Sequence, residues 1–160
     1  MKGNAAVIEA LNGLLVDEFA AWQQYLAHYQ AADNLGYAGL SSRIKDRAAD
    51  EIRHAEILTA RILVLGGIPS AGNLGPVAVN VSSISAAVDL DVAAEIRAVD
   101  KYNAAVKLAA DAGDNTTRAI LETILSEEDD EHLNELEGWQ IEIASLGLSP
   151  FLILRGSEKG

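Results

Sequence analysis

The sequence predicts an all-α fold: a bundle of four long helices with one long crossover between helices two and three and a short C-terminal helix. Three observations lead there. Long stretches rich in Ala, Leu and Glu carry apolar residues at intervals of three and four, the period of an amphipathic helix. Prolines occur only at Pro69, Pro76 and Pro150, so two share one segment and none interrupts the long stretches. The links are unequal. Helices one and two, and three and four, are joined by short turns that make antiparallel hairpins, whereas residues 66–81 form a long connection containing Gly and Pro.

Helix one is expected from about Asn4, whose side chain suits an N-cap, to Asn34-Leu35-Gly36, where glycine suits a left-handed stop. Helix two runs from about Gly39 to Leu65 and ends at Gly66-Gly67. Helix three begins near Ser82-Ser83 and continues to Ala112-Gly113. Helix four starts after Asp114-Asn115 and reaches Leu146-Gly147, and the apolar residues 149–154 add a further turn or two. Residues 1–160 read as a single domain, with no repeat of fixed period and no low-complexity tract.

Composition narrows the chemistry. At 160 residues and 49% hydrophobic, the chain can fill a sizeable core, which excludes disorder driven by low hydrophobicity. It has no cysteine, so disulfides, thiolate zinc sites and iron–sulfur ligation are excluded and any metal is held by nitrogen and oxygen. Asp and Glu number 24 against 12 Lys and Arg, a formal charge of −12 with no basic run. That balance argues against nucleic acid and makes cations the natural guests. Met1-Lys2-Gly3-Asn4 leads straight into an amphipathic pattern without a signal peptide's apolar core, and no apolar run has bilayer-spanning length. The expectation is a soluble, cytoplasmic protein with no membrane partner. Gly66, Gly67, Gly72 and Gly75 form no phosphate-binding signature, since no strand precedes them.

The informative residues are those that interrupt the apolar stripes. Helix one reads Val7, Leu11, Leu14 or Leu15, Glu18, Trp22, Tyr25, Tyr29. Helix two reads Ile44, Ala48, Glu51, Ala55, Leu58, Ile62, with His54 one turn beyond the glutamate. Glu95 stands between Val92 and Val99 in helix three, and helix four reads Leu121, Leu125, Glu128, His132, Leu136, Trp139, Ile143. Each helix thus offers a metal-competent side chain roughly midway along. Four buried carboxylates together are strongly unfavourable without a cation. Four carboxylates and two histidines are an ample ligand set for two divalent iron or manganese ions.

Helix two carries Glu51-Ile52-Arg53-His54, a Glu-x-x-His unit, but helix four is less regular. With His132 as zero and about 100° per residue, Asp129 lies at roughly +60° and Glu128 at roughly −40°. Glu128 is nearer the core axis and is preferred; Asp129 is its substitute if the helix carries a local bulge.

The chain resembles the bacterioferritins, members of the ferritin-like superfamily, whose bundles share the single long crossover. Residues carrying the resemblance are Met1-Lys2-Gly3, Glu18, Gln24-Tyr25, His28, Asp50-Glu51, His54-Ala55, Arg61-Ile62-Leu63, the Leu65 to Pro69 loop entry, Asn73-Leu74-Gly75 and Gly147-Leu148, in order and spacing along essentially the whole chain. The resemblance implies an iron-storage subunit in a hollow shell of 24 copies, oxidising Fe2+ with O2 or H2O2 at an intrasubunit dinuclear ferroxidase centre and depositing ferric mineral. It implies Glu18 and His54 on one iron, Glu95 and His132 on the other, and Glu51 and Glu128 bridging.

Two departures stand out. In helix four the histidine arrives one residue late, as though an acidic residue had been inserted within residues 127–131. The position after the helix-two glutamate, where the family has its haem-ligating methionine, is Ile52, and the chain's one methionine is Met1. A homomeric shell is therefore expected to lack haem bound in that manner, while a mixed shell can take the methionine from a paralogue. The alternative function is accordingly a structural or regulatory subunit of a mixed shell with an impaired di-iron site; a third is a small di-iron oxidase. Asp46 and Asp50, four apart on helix two, are a candidate transit site for iron or else solvated charges. Tyr25 and Tyr102, each seven residues after a candidate glutamate, are placed on the core stripes, and His28 is expected to face solvent or a subunit neighbour.

Overall fold

The computed structural model describes residues 2–157 except 71, 73, 75 and 76. Met1, Asn73, Gly75 and Pro76 lie outside the described residues. The chain folds as α1 (Ala5–Asn34), α2 (Ala38–Val64), α3 (Ile84–Asp111) and a fourth rod built of α4 (Asn115–Ser126), a π-helical segment (Glu127–Leu133) and α5 (Asn134–Leu146), followed by α6 (Leu148–Gly156). This is a four-helix bundle with a short terminal helix, and its links fall where composition placed them. α1 packs along α2, and α3 along the fourth rod. Among the described residues no helix is long and apolar enough to cross a membrane.

Local chemistry sets the ends. The Asn4 side chain accepts hydrogen bonds from the amides of Ala6 and Val7 at 2.9 and 3.4 Å, satisfying donors the helix leaves free. Asp114 does the same for Thr117 at 3.0 Å. Gly36 and Gly66 take φ of 87° and 78°, the left-handed conformation that stops α1 and α2 and that a side chain disfavours. The crossover is tied back to α1. Asn12 donates to the Ile68 carbonyl at 3.2 Å, and the Asn80 amide donates to Nε2 of His28 at 2.9 Å.

His28 is thus buried, not on the surface as its position suggested. Its Nδ1 lies 2.8 Å from Asp91 on α3, whose carboxylate also accepts from Gln24 at 2.7 Å. Burying an imidazole requires such partners, and here they come from two other segments of the chain.

The apolar interior is in two parts. One, with Leu11, Leu15, Leu58, Ile62, Leu121 and Ile124, fills one end of the bundle. The other, with Leu40, Ile44, Val88, Val92, Leu136, Trp139 and Phe151, fills the opposite end. Glu18, Glu51, His54, Glu95, Glu128 and His132 are all buried and lie between them in sequence on every rod. α6 folds back to close the second end, where the Phe151 ring meets Trp139 edge-on at 6.2 Å between centroids. Because Phe151 is fully buried, Phe151→Ala is expected to destabilise the subunit by about 3–5 kcal/mol, read as a lowered melting temperature.

Candidate metal centre

Six side chains from four rods converge between the two apolar ends. Glu18, Glu51, His54 and Glu128 offer ligand atoms that all lie within 4.8 Å of one another, and so do Glu51, Glu95, Glu128 and His132. Glu51 and Glu128 belong to both groups, and each turns one oxygen to each histidine. Glu51 places Oε2 3.5 Å from Nδ1 of His54 and Oε1 3.5 Å from Nδ1 of His132. Glu128 places Oε1 2.8 Å from the former and Oε2 3.7 Å from the latter. Glu18 and Glu95 belong to one group each, 3.6 Å from His54 and 3.8 Å from His132 respectively.

Helix four reaches this arrangement through its π-helical segment. The amide of Asn134 bonds the carbonyl of Asp129, five residues back, so each turn here takes up about one residue more than an α turn. Glu128 and His132, four apart, consequently occupy the positions that three-apart residues hold in an α-helix, and both are buried. The extra acidic residue is absorbed without losing the Glu/His pair. It does not bring in Asp129: the bulge is present, yet Asp129 is exposed, because Glu128 stays in register with the helix before it and the added residue is taken up after it.

The site has an approximate twofold relation between its halves. The hydroxyl of Tyr25 on α1 donates to Glu95 on α3, and that of Tyr102 on α3 donates to Glu18 on α1. The outward nitrogens are also crossed: Nε2 of His54 meets Glu127 at 2.9 Å, and Nε2 of His132 meets Asp50 at 3.4 Å. Asp50 and Glu127 each precede a shared glutamate. A sequence signal for these partners exists. The interval from Glu18 to Glu95 (95 − 18 = 77) recurs from Tyr25 to Tyr102, Asp50 to Glu127 and Glu51 to Glu128, and only the histidines, at 78, break it. Of the proposed transit pair, Asp50 is half-buried against His132, while Asp46 is exposed.

The donor set fits a divalent transition metal. Oε1 of Glu51, Oε1 of Glu128 and Nδ1 of both histidines are buried without a well-directed hydrogen bond, and carboxylate oxygen with imidazole nitrogen suits iron or manganese. A cleft of ≈ 220 Å³ between α1 and α3, walled in part by Ala20, Ala21, Ala94 and Ala98, reaches Glu18, Glu51, Glu95 and Glu128.

Burial and the neighbouring charges shift the site's proton equilibria. Burial, reinforced by the charges of Glu51 and Glu128, pushes the carboxyls of Glu18 and Glu95 well above the usual range. Burial also drives Glu128 upward, but His132, His54 and Glu95 overcome it and hold that carboxyl below its ordinary value. For the imidazoles burial opposes the charge. His132 is nonetheless pushed up to about 12 by Asp50, Glu128 and Glu51, and His54 is raised further by Glu128, Glu18 and Glu51.

Fold and site together define a ferritin-class protein. The model of the ferritin-like domain matches residues 8–143, a span taking in the six site residues. The bacterioferritin of Streptomyces coelicolor is 34% identical over 152 residues, 95% of this chain and 90% of its own length. The bacterioferritin of Mycolicibacterium paratuberculosis is 32% identical over 137 residues, 86% of this chain and 85% of its own, and that of Rhodobacter capsulatus is 32% identical over 137 residues, 86% and 84%. This chain belongs to the bacterioferritin family.

The protonation pattern has a measurable consequence. The surroundings favour the protonated carboxyls of Glu18 and Glu95 and the cationic form of both histidines, whereas ligation needs carboxylates and neutral imidazoles. Binding of Zn2+ or Co2+ is therefore expected to release protons, and affinity to rise with pH. An indicator dye in weakly buffered, metal-free protein reads the release; metal uptake with no acidification would contradict this assignment.

Proposed function

We propose that the chain is an iron-storage subunit with ferroxidase activity, built into a cytoplasmic shell of 24 copies around a ferric mineral. The observation that carries this reading is the pair of ligand groups sharing Glu51 and Glu128, in a chain of the bacterioferritin family. The substrates are Fe2+ and an oxidant, O2 or H2O2. Glu18 and His54 would hold one Fe2+, Glu95 and His132 the other, with Glu51 and Glu128 between them. Each Fe2+ gives up one electron; two electrons and two protons reduce O2 to H2O2, or H2O2 to water. The chain's own part is to exclude bulk water, keep the histidines turned inward and hold four carboxylates where Fe3+ is favoured over Fe2+.

Two measurements test this. Anaerobic titration is expected to show two Fe2+ bound per subunit before any oxidant is added, matching the two ligand groups. Glu51→Ala removes a carboxylate common to both groups and is expected to slow Fe2+ oxidation about 100-fold or more, since even partners outside a ligand set typically cost about 10- to 100-fold. A variant oxidising iron at the wild-type rate would refute the reading.

A second reading rests on Ile52, which has no lone pair to offer haem iron. In it the chain assembles with a paralogue that supplies the methionine. The homomeric protein is expected to show no Soret band of bis-methionine haem, and native mass spectrometry of the assembly from its source would reveal the second subunit.

A further inference from the structure

The two histidines share a feature that ligand geometry alone does not require. Each turns Nδ1 to the four carboxylates and Nε2 away from them, and each Nε2 meets a carboxylate outside the ligand set: Glu127 for His54 at 2.9 Å and Asp50 for His132 at 3.4 Å. Those two carboxylates are joined by one guanidinium. Nη2 of Arg53 donates to Oδ1 of Asp50 at 2.9 Å and also to Oε2 of Glu127, while Nη1 lies 3.4 Å from Oε1 of the same residue. A continuous chain results, His54 to Glu127 to Arg53 to Asp50 to His132, closing the site on the side of α2 and the π-helical segment.

We propose that Arg53 is a positioning residue for both halves of the metal centre at once, a single clasp that orients the two histidines together. The inference rests on the reading of the six buried residues as metal ligands. A carboxylate on Nε2–H selects the tautomer whose Nδ1 is free to ligate and fixes the ring's rotation. Asp50 and Glu127 are partly exposed, with side chains 35% and 26% accessible, and would otherwise sample several rotamers. The planar fork of arginine holds both carboxylates in one geometry, which the point charge of a lysine does not. The twofold relation sharpens the argument. Asp50 and Glu127 are counterparts at an interval of 77, but the position 77 beyond Arg53 is the exposed Asp130, so one cation serves both halves. The late histidine fits the same scheme: Glu127, in register with α4, meets His54, and the π-helical turn that follows keeps His132 turned inward with Glu128.

The test is a Co2+ titration of metal-free, assembled protein, followed by the visible bands of bound Co2+ and paired with metal-free melting curves. Wild type is expected to take up two Co2+ per subunit. Arg53→Ala is expected to weaken both binding steps together by about 10- to 100-fold and to alter both spectra. Arg53→Lys is expected to recover part of the affinity, with the metal-free melting temperature of both variants retained. The clasp is overturned if Arg53→Ala binds Co2+ as wild type does, if only one step weakens, or if the loss is matched by a collapse of metal-free melting. Wild type that takes up no Co2+ overturns the ligand reading itself, and the clasp with it.

Discussion

Four glutamates buried at one depth between two apolar ends govern the rest of this structure. Their mutual repulsion and desolvation amount to several kcal/mol for each charge left unbalanced, a large share of the stability of any domain this size. Every nearby feature answers to that constraint. Two histidines stand among the carboxylates, two tyrosine hydroxyls donate to the carboxylates that are not shared, and burial pushes the carboxyls of Glu18 and Glu95 toward their protonated form. Divalent cations satisfy the same constraint with more charge in less space, and this makes metal uptake and proton loss two sides of one equilibrium.

The constraint also explains why an irregular helix persists in a regular bundle. π-helical turns are rare, a sign that they cost more than the α turns around them, and they occur mostly as single-turn bulges, frequently at functional sites. Straightening it with the residue count unchanged would alter the angle between Glu128 and His132 about the helix axis and so disturb the contacts both make with the other rods. The local expense is smaller than that alternative, so the added residue bulges on the exposed side, at Asp129, Asp130 and Glu131. The departure that suggested a damaged site is thus compatible with an intact one.

Much of this was legible in the residues. Helices and links follow from periodicity, proline placement and caps, because these are local signals. The six central residues were visible as polar interruptions of apolar stripes, since a buried charge violates the pattern that surrounds it. What escaped depends on pairings between distant segments. The extra residue within 127–131 was visible, but its form as a π-helical turn that keeps Glu128 inward was not, because face arithmetic at about 100° per residue presumes an α-helix throughout. His28 was misplaced because its partners, Asp91 and the Asn80 amide, come from α3 and the crossover. Glu127 lay in an acidic run that reads as a solvated face, and its link to His54 spans 73 residues. The recurring interval of 77 held part of that information, but it is carried by a few chemically matched positions and not by a repeat along the chain.

The central claim is that the shared carboxylates and the late histidine together make a two-metal site. Anomalous scattering at the iron edge, from crystals soaked anaerobically with Fe2+, addresses it directly. The account predicts two peaks per subunit, one beside Glu18 and His54 and one beside Glu95 and His132, with Glu51 and Glu128 reaching both. Iron bound only at surface carboxylates such as Asp129 or Asp46, or a single peak with His132 uncoordinated, would contradict it.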